Sequence, residues 1–331
     1  MQIDFLTVLI AVVSIIMYTV PAFILAKTKM LPSNAGETLS TLVLFGCQPV
    51  LIFMSFQEHY RPEIALNILY VALLSFVVYT VFYGVISFLI NKKDRSKKTN
   101  TMRYACLFSN CGFMGLPFLQ TVFGSSVGGE IIIYAAVVIS MHNVFNWSLG
   151  VYIFTHDKKD ISIKRILVNP TIISIIIGVL YFFIVGIPIV DFAEQGSSAR
   201  FVLEKITGSL DVIGNLMTPL AMSVIGIRLA NVNFKSLFLD KTAYLTSGIK
   251  LVLMSIVTIL IVAFLPVGVV IKYLMFFLMS MPSATSTAMF AVTFGGDADS
   301  GSVFVLLSTV LSIITIPLLF LLMSGVFVPL G

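Results

Sequence analysis

The sequence predicts an all-α polytopic membrane protein. Its ten transmembrane helices are expected to form two inverted five-helix repeats, with helices four and nine broken near their centres. Three observations carry this expectation. First, hydrophobic residues make up 58% of the 331 residues and charged residues only 11%, and the mean hydropathy is +1.06. A soluble globule carries about 25% charged residues, so a water-facing surface cannot be built from this chain. Second, ten apolar runs each reach the length of about 20 residues that a helix needs to cross the hydrocarbon core. Third, prolines recur inside matching runs of the two halves.

The ten runs are 5–26, 37–56, 64–90, 104–123, 130–155, 171–190, 205–230, 242–267, 270–294 and 300–328. Within a bilayer every backbone N–H and C=O must find a partner inside its own segment, which selects helices over irregular chain. A transmembrane barrel would show alternating strands of about ten residues, whereas these runs are continuously apolar. The first run is expected to be a span and not a cleaved leader. Met1-Gln-Ile-Asp4 has no basic character, and no small-x-small cleavage site follows.

Loop charges set the orientation. With the N-terminus on one side, the opposite side collects Lys27 and Lys29, then Lys92, Lys93, Arg95, Lys97, Lys98 and Arg103. It also collects Lys158, Lys159, Lys164 and Arg165, and finally Arg228, Lys235 and Lys241. That is fifteen of the twenty basic residues; Arg61, Arg200, Lys205 and Lys272 fall on the N-terminal side. Basic loops stay in the cytoplasm, so both termini are expected outside a cell (inner) membrane. The net charge of +5 is therefore a topology signal and not a nucleic-acid surface. Cys47, Cys106 and Cys111 lie in apolar runs without metal-ligand spacing, and read as small packing residues.

The halves repeat. Pro49 in the second run and Pro219 in the seventh are 170 residues apart, and Pro117 in the fourth and Pro282 in the ninth are 165 apart. Five-span halves have opposite orientation, and inverted repeats with interrupted helices in matching places are the pattern of secondary transporters. The fourth run reads Asn110-Cys111-Gly112-Phe-Met-Gly115-Leu-Pro117. Pro117 lacks an N–H and clashes with the carbonyl four residues back, so a regular helix cannot continue through it. The ninth run reads Met-Pro282-Ser283-Ala-Thr285-Ser286-Thr287, bringing hydroxyls to the same depth. The second half of each run begins near the midplane. Two positive helix ends, with their free N–H groups, can then face a shared centre and attract an anion. Two proline-kinked packing helices remain the simpler alternative.

Ionisable residues inside a membrane are expensive and therefore candidates for function. His142 lies in the fifth run, on the stretch His142-Asn143-Val-Phe-Asn146, where 142 and 146 share a helical face. It can carry a coupling proton, because histidine titrates near neutrality, or be a neutral hydrogen-bonded core residue. Lys250, nine residues into the eighth run, can snorkel to the interface or act as counter-charge for a substrate carboxylate. Spans four, five and nine hold no paired carboxylates, which favours an anion over a cation as substrate.

The string Asn110-Cys-Gly-Phe-Met-Gly-Leu-Pro117 resembles the crossover signature of the auxin efflux carrier family, bacterial branch. Pro49, Asn143 and Asn146, and Pro219 with Gly226 extend the resemblance over the whole chain. It implies a ten-helix fold similar to bile-acid symporters and sodium–proton antiporters. It implies a scaffold part, 1–56 with 171–230, and a transport part, 62–155 with 242–331. It also implies a homodimer joined through the scaffold, and substrates such as auxin, malate or malonate. Two departures stand out: Thr287 or Ala288 occupies the place of a second proline in the ninth span, and only residues 156–170 join the halves.

The expected function is a carrier of a small organic anion, a mono- or dicarboxylate, working by alternating access without a cofactor. The expected binding residues are Asn110, Cys111, Gly112, Gly115, Pro117, Asn143, Asn146, Pro282, Ser283, Thr285 and Ser286. A channel-like or sensory protein of the same fold, or a cation–proton antiporter, are the alternatives. No zinc-hydrolase His-Glu-x-x-His and no phosphate-binding loop occurs, so an enzyme or an ATP-driven pump is not expected. Asn146-Trp-Ser148 spells a glycosylation sequon but lies inside a span.

Overall fold

A computed structural model describes residues 4–91, 93–123, 130–231 and 239–327. Lys92 and Lys235, counted above among the cytoplasmic charges, and Val328 of the tenth run lie outside the described residues. The helices are α1 (Phe5–Lys27), α2 (Ala35–Ser55), α3 (Pro62–Leu89), α4 (Lys97–Leu107), α5 (Cys111–Phe123) and α6 (Glu130–Thr155). They continue with α7 (Pro170–Ile184), α8 (Ser198–Ala230), α9 (Lys241–Ala263), α10 (Val269–Ser280), α11 (Thr287–Phe294) and α12 (Ala298–Phe327). Among the described residues seven helices are long and apolar enough to span a bilayer: α1, α2, α3, α6, α8, α9 and α12. An eighth is added if α7 and the segment Lys158–Leu167, bent by 53°, count as one span.

Large side chains are left bare on the outside, Phe88 at 87% and Phe264 at 85% exposed. In water such a surface would aggregate; in lipid it is solvated. Helix ends follow local chemistry. Asp4 caps α1 by accepting from the Thr7 N–H at 2.7 Å. Ser96 caps α4, and just ahead of it the Ser96 backbone N–H and the Thr99 hydroxyl hold the Asp94 carboxyl below the usual carboxylate range. Hence α4 starts at Lys97, seven residues before the apolar run predicts, because capping decides a helix start and hydropathy does not. Likewise Ser197 caps α8 and moves its start to Ser198. The sixth run stops early, at Ile184, where Gly186 takes a left-handed φ of 69° ahead of Pro188.

The two expected breaks are present. The chain leaves helix at residues 108–110 between α4 and α5, and at 281–286 between α10 and α11. Neither α5 nor α10 is long enough to span by itself. The freed backbone groups satisfy one another: Asn110 N–H donates to the Pro282 carbonyl at 2.8 Å, and Ala284 N–H to the Phe108 carbonyl at 2.9 Å. This makes an isolated antiparallel bridge between Ser109 and Ser283. Breaks buried in hydrocarbon survive only when paired in this way. Around them pack buried aromatic rings, among them Tyr79, Tyr104, Phe108, Phe276 and Phe277.

Elsewhere α1 lies along the second half of α8, α2 against α7 and α8, α3 against α6, and α12 against α9 and α11. Gly226 sets the α1–α8 distance: a Cβ there would collide with the Thr19 carbonyl oxygen of α1. Small residues let membrane helices approach in this manner.

Candidate functional site

Among the described residues four helices widen by one residue per turn, at Val43–Cys47 in α2, Cys111–Gly115 in α5, Asn146–Gly150 in α6 and Gly248–Leu253 in α9. Such π turns leave backbone and side chains redirected, and they gather at functional sites. Three of them border a single cavity of about 390 Å³, and the fourth carries Lys250. The cavity extends from the paired breaks to the start of α7 at Asn169–Thr171 and the last turn of α8 at Arg228.

Of the residues expected from sequence, Asn110, Cys111, Gly112, His142, Asn143, Asn146, Thr285 and Ser286 line this cavity. Gly115, Pro117, Pro282, Ser283 and Lys250 do not border it. Gly115 is a packing glycine, since a Cβ there would lie 2.7 Å from the Leu278 side chain. Pro282 contributes its carbonyl to Asn110, and Ser283 is fully buried behind the bridge.

Asn110 is held by its backbone. Its N–H is on Pro282, and its carbonyl accepts from Met114 and Gly115 at 3.1 and 3.0 Å. Its side-chain Nδ2, buried at the cavity wall, has no partner. The Gln48 Oε1, on a side chain that lies close to Gly112, is also buried and unpartnered. An unmet buried polar atom costs about 1–3 kcal/mol, so two of them on residues that line one cavity favour a polar guest there. Asn146 is fixed by Tyr104, whose hydroxyl donates to Asn146 Oδ1 and lies 3.0 Å from Ser286 Oγ. His142 Nδ1 is 2.8 Å from the Tyr79 hydroxyl, and the ring meets Phe108 edge-on.

Lys250 neither snorkels nor enters the cavity. It is fully buried, with Nζ donating to Ser109 Oγ at 2.6 Å and to the Met279 carbonyl at 2.9 Å. Met279 lies in the last turn of α10, and Ser109 lies just past α4, so the ammonium serves the negative ends of two helices. Among the described residues no carboxylate pairs with it.

Sequence reasoning missed Arg228 and Gln48. In the sequence Arg228 reads only as a loop charge, yet it lines the cavity and its guanidinium donates to the Thr285 carbonyl at 2.8 Å. Among the described residues it is the only lysine or arginine in the lining, and no Asp or Glu lines the cavity. Gln48 precedes Pro49, which could have flagged it by analogy with the polar residues near Pro117 and Pro282.

Comparison with known proteins supports a transport role for this arrangement. The sequence matches a family profile described as "Membrane transport protein" over residues 7–320. This chain belongs to that family, the auxin efflux carrier-like membrane transporters. A relative from Methanothermobacter thermautotrophicus, an "Uncharacterized transporter", is 26% identical over 317 residues, covering 93% of this chain and 95% of the relative. The protein is thus a multi-pass membrane transporter and not an enzyme, as the sequence led us to expect.

Proposed function

We propose that the protein is a secondary carrier of a small organic anion, a mono- or dicarboxylate, that works by alternating access. The observation that carries this reading is the cavity itself. Among the described residues its one permanently charged lining residue is cationic, Arg228, and Asn110, with its unpartnered Nδ2, stands at the paired breaks. The first N–H groups of α5 have no intrahelical acceptor and add a positive end at Cys111 and Gly112. A carboxylate fits this field better than a cation does.

In the same reading, α4 with α5 and α10 with α11 each make one crossing, giving ten in two inverted halves. Both termini lie outside a cell (inner) membrane. Residues 1–56 and 171–230 form the scaffold, and 62–155 and 242–331 the moving part. The close pairing of α1 and α2 with α8, and of α12 with α9 and α11, supports that division. The test is a thermal-shift titration of the purified protein with acetate, lactate, malonate, succinate and malate, with acetamide and choline as neutral and cationic controls. A bound anion raises the transition by mass action. Stabilisation by choline alone, or by none of the compounds, overturns the anion reading.

His142 is the proposed coupling group, since it borders the cavity and is hydrogen-bonded to Tyr79. Uptake driven by an imposed pH gradient is expected to lose its pH response in His142→Gln, with anion binding retained. Glutamine keeps the hydrogen bonding and cannot be protonated. A variant that still follows the gradient assigns coupling elsewhere.

A further inference from the structure

We propose that Arg228 is a latch that holds the empty carrier and that the substrate carboxylate opens. The inference rests on the carrier reading above and adds how binding is converted into movement.

Arg228 sits in the last turn of α8, on the proposed scaffold. Thr285 sits in the break between α10 and α11, on the proposed moving part. The guanidinium–carbonyl bond of 2.8 Å therefore crosses from one part to the other. A second polar tie runs from Thr218 of α8 to Gln120 of α5 at 2.8 Å, but neither residue lines the cavity. Arg228 differs in that it touches both the tie and the space where an anion would rest.

The Thr285 carbonyl and an incoming carboxylate are unequal acceptors for Arg228. A backbone carbonyl is neutral, whereas a carboxylate makes charge-assisted bonds about twice as strong. The guanidinium is a planar fork of five N–H donors matched to carboxylate geometry. A carboxylate entering the cavity thus competes for Arg228 and draws it from Thr285, freeing the break to move with its helices. With the cavity empty, the guanidinium has the Thr285 carbonyl as its acceptor and the parts stay tied. Exchange of one anion for another should then be fast, and return of the empty carrier slow.

The experiment uses the full-length protein in lipid vesicles, with the radiolabelled carboxylate from the panel above that gives the largest thermal shift. Wild-type exchange is expected to exceed net efflux by at least about tenfold, the effect of losing one hydrogen bond to a charged group. In Arg228→Met the ratio should fall towards one, because the empty carrier is no longer held, while the dissociation constant rises by about tenfold or more. Arg228→Lys keeps the charge without the fork, and should give an intermediate ratio. A residue with a merely structural role would lower both rates together and leave their ratio unchanged. Equal exchange and net efflux in the wild type would overturn the latch, whether or not the variants fold. So would an unaltered ratio in a well-folded Arg228→Met. If the wild type binds no carboxylate, or shows no saturable exchange, the carrier reading itself fails, a result distinct from failure of the latch alone.

Discussion

Replacing Lys250 with methionine is expected to weaken carboxylate binding by roughly thirtyfold while leaving the protein folded. The ammonium is buried at the back of the paired breaks, bonded to Ser109, the neighbour of Asn110. At an effective dielectric of about 20 two unit charges about 4 Å apart interact by about 4 kcal/mol; half of that, for a charge set back behind the cavity wall, is about 2 kcal/mol or roughly thirtyfold in a dissociation constant. Methionine keeps the length of the apolar stem and removes only the Nζ, which lies 5.9 Å from the centroid of the Phe82 ring. Removing Nζ does not strand the Met279 carbonyl, because Ser109 Oγ also donates to it at 3.2 Å. The lost hydrogen bonds are offset by relief of an ammonium buried without a carboxylate partner. The transition temperature of the empty protein should hold, and the anion-induced shift should shrink. Isothermal titration with the best carboxylate separates the outcomes: unchanged affinity in a folded Lys250→Met would mean that the ammonium is not felt in the cavity and serves only the helix ends.

The fold was legible where bilayer physics is strict. Seven long helices fall where the apolar runs lie, since a spanning helix leaves no freedom in length. The breaks at 108–110 and 281–286 were legible from the Gly and Pro clusters beside them, because those residues withdraw donors or tolerate what a helix does not. What hydropathy could not reveal is the helical stretch from Lys97 to Arg103. It is polar, so it looks like a loop, and only the Ser96 cap marks its start. Arg228 was illegible for a different reason. A charge at a span end scores the same whether it faces water or turns back into the bundle, and the turn towards Thr285 depends on a helix distant in sequence. Lys250 could be placed at depth from sequence, but its partners Ser109 and Met279 come from two other helices. The π turns carry no composition signal and emerge only from packing.

Asn110→Ala is expected to reduce carboxylate affinity by roughly ten- to a hundredfold with little effect on stability. The stability side follows from the hydrogen bonds. Asn110 contributes its backbone to the break, through Pro282, Met114 and Gly115, and alanine retains all of these. Its Nδ2 has no partner in the empty protein, so truncation removes an unmet buried donor. The folded state therefore loses no side-chain hydrogen bond and sheds a desolvation cost, which offsets the packing lost with the buried amide. The affinity side runs the other way. A hydrogen bond to a charged group is worth about 1.5–3 kcal/mol, and Nδ2 is an unpartnered buried donor on a residue that lines the cavity. Opposite signs for stability and binding distinguish a binding residue from a packing residue, for which both would fall. The measurement is a pair of melting curves, with and without the stabilising carboxylate. A variant that melts lower than wild type when empty, yet gains as much from the anion, would place the carboxylate elsewhere in the cavity, nearer Arg228 and Gln48.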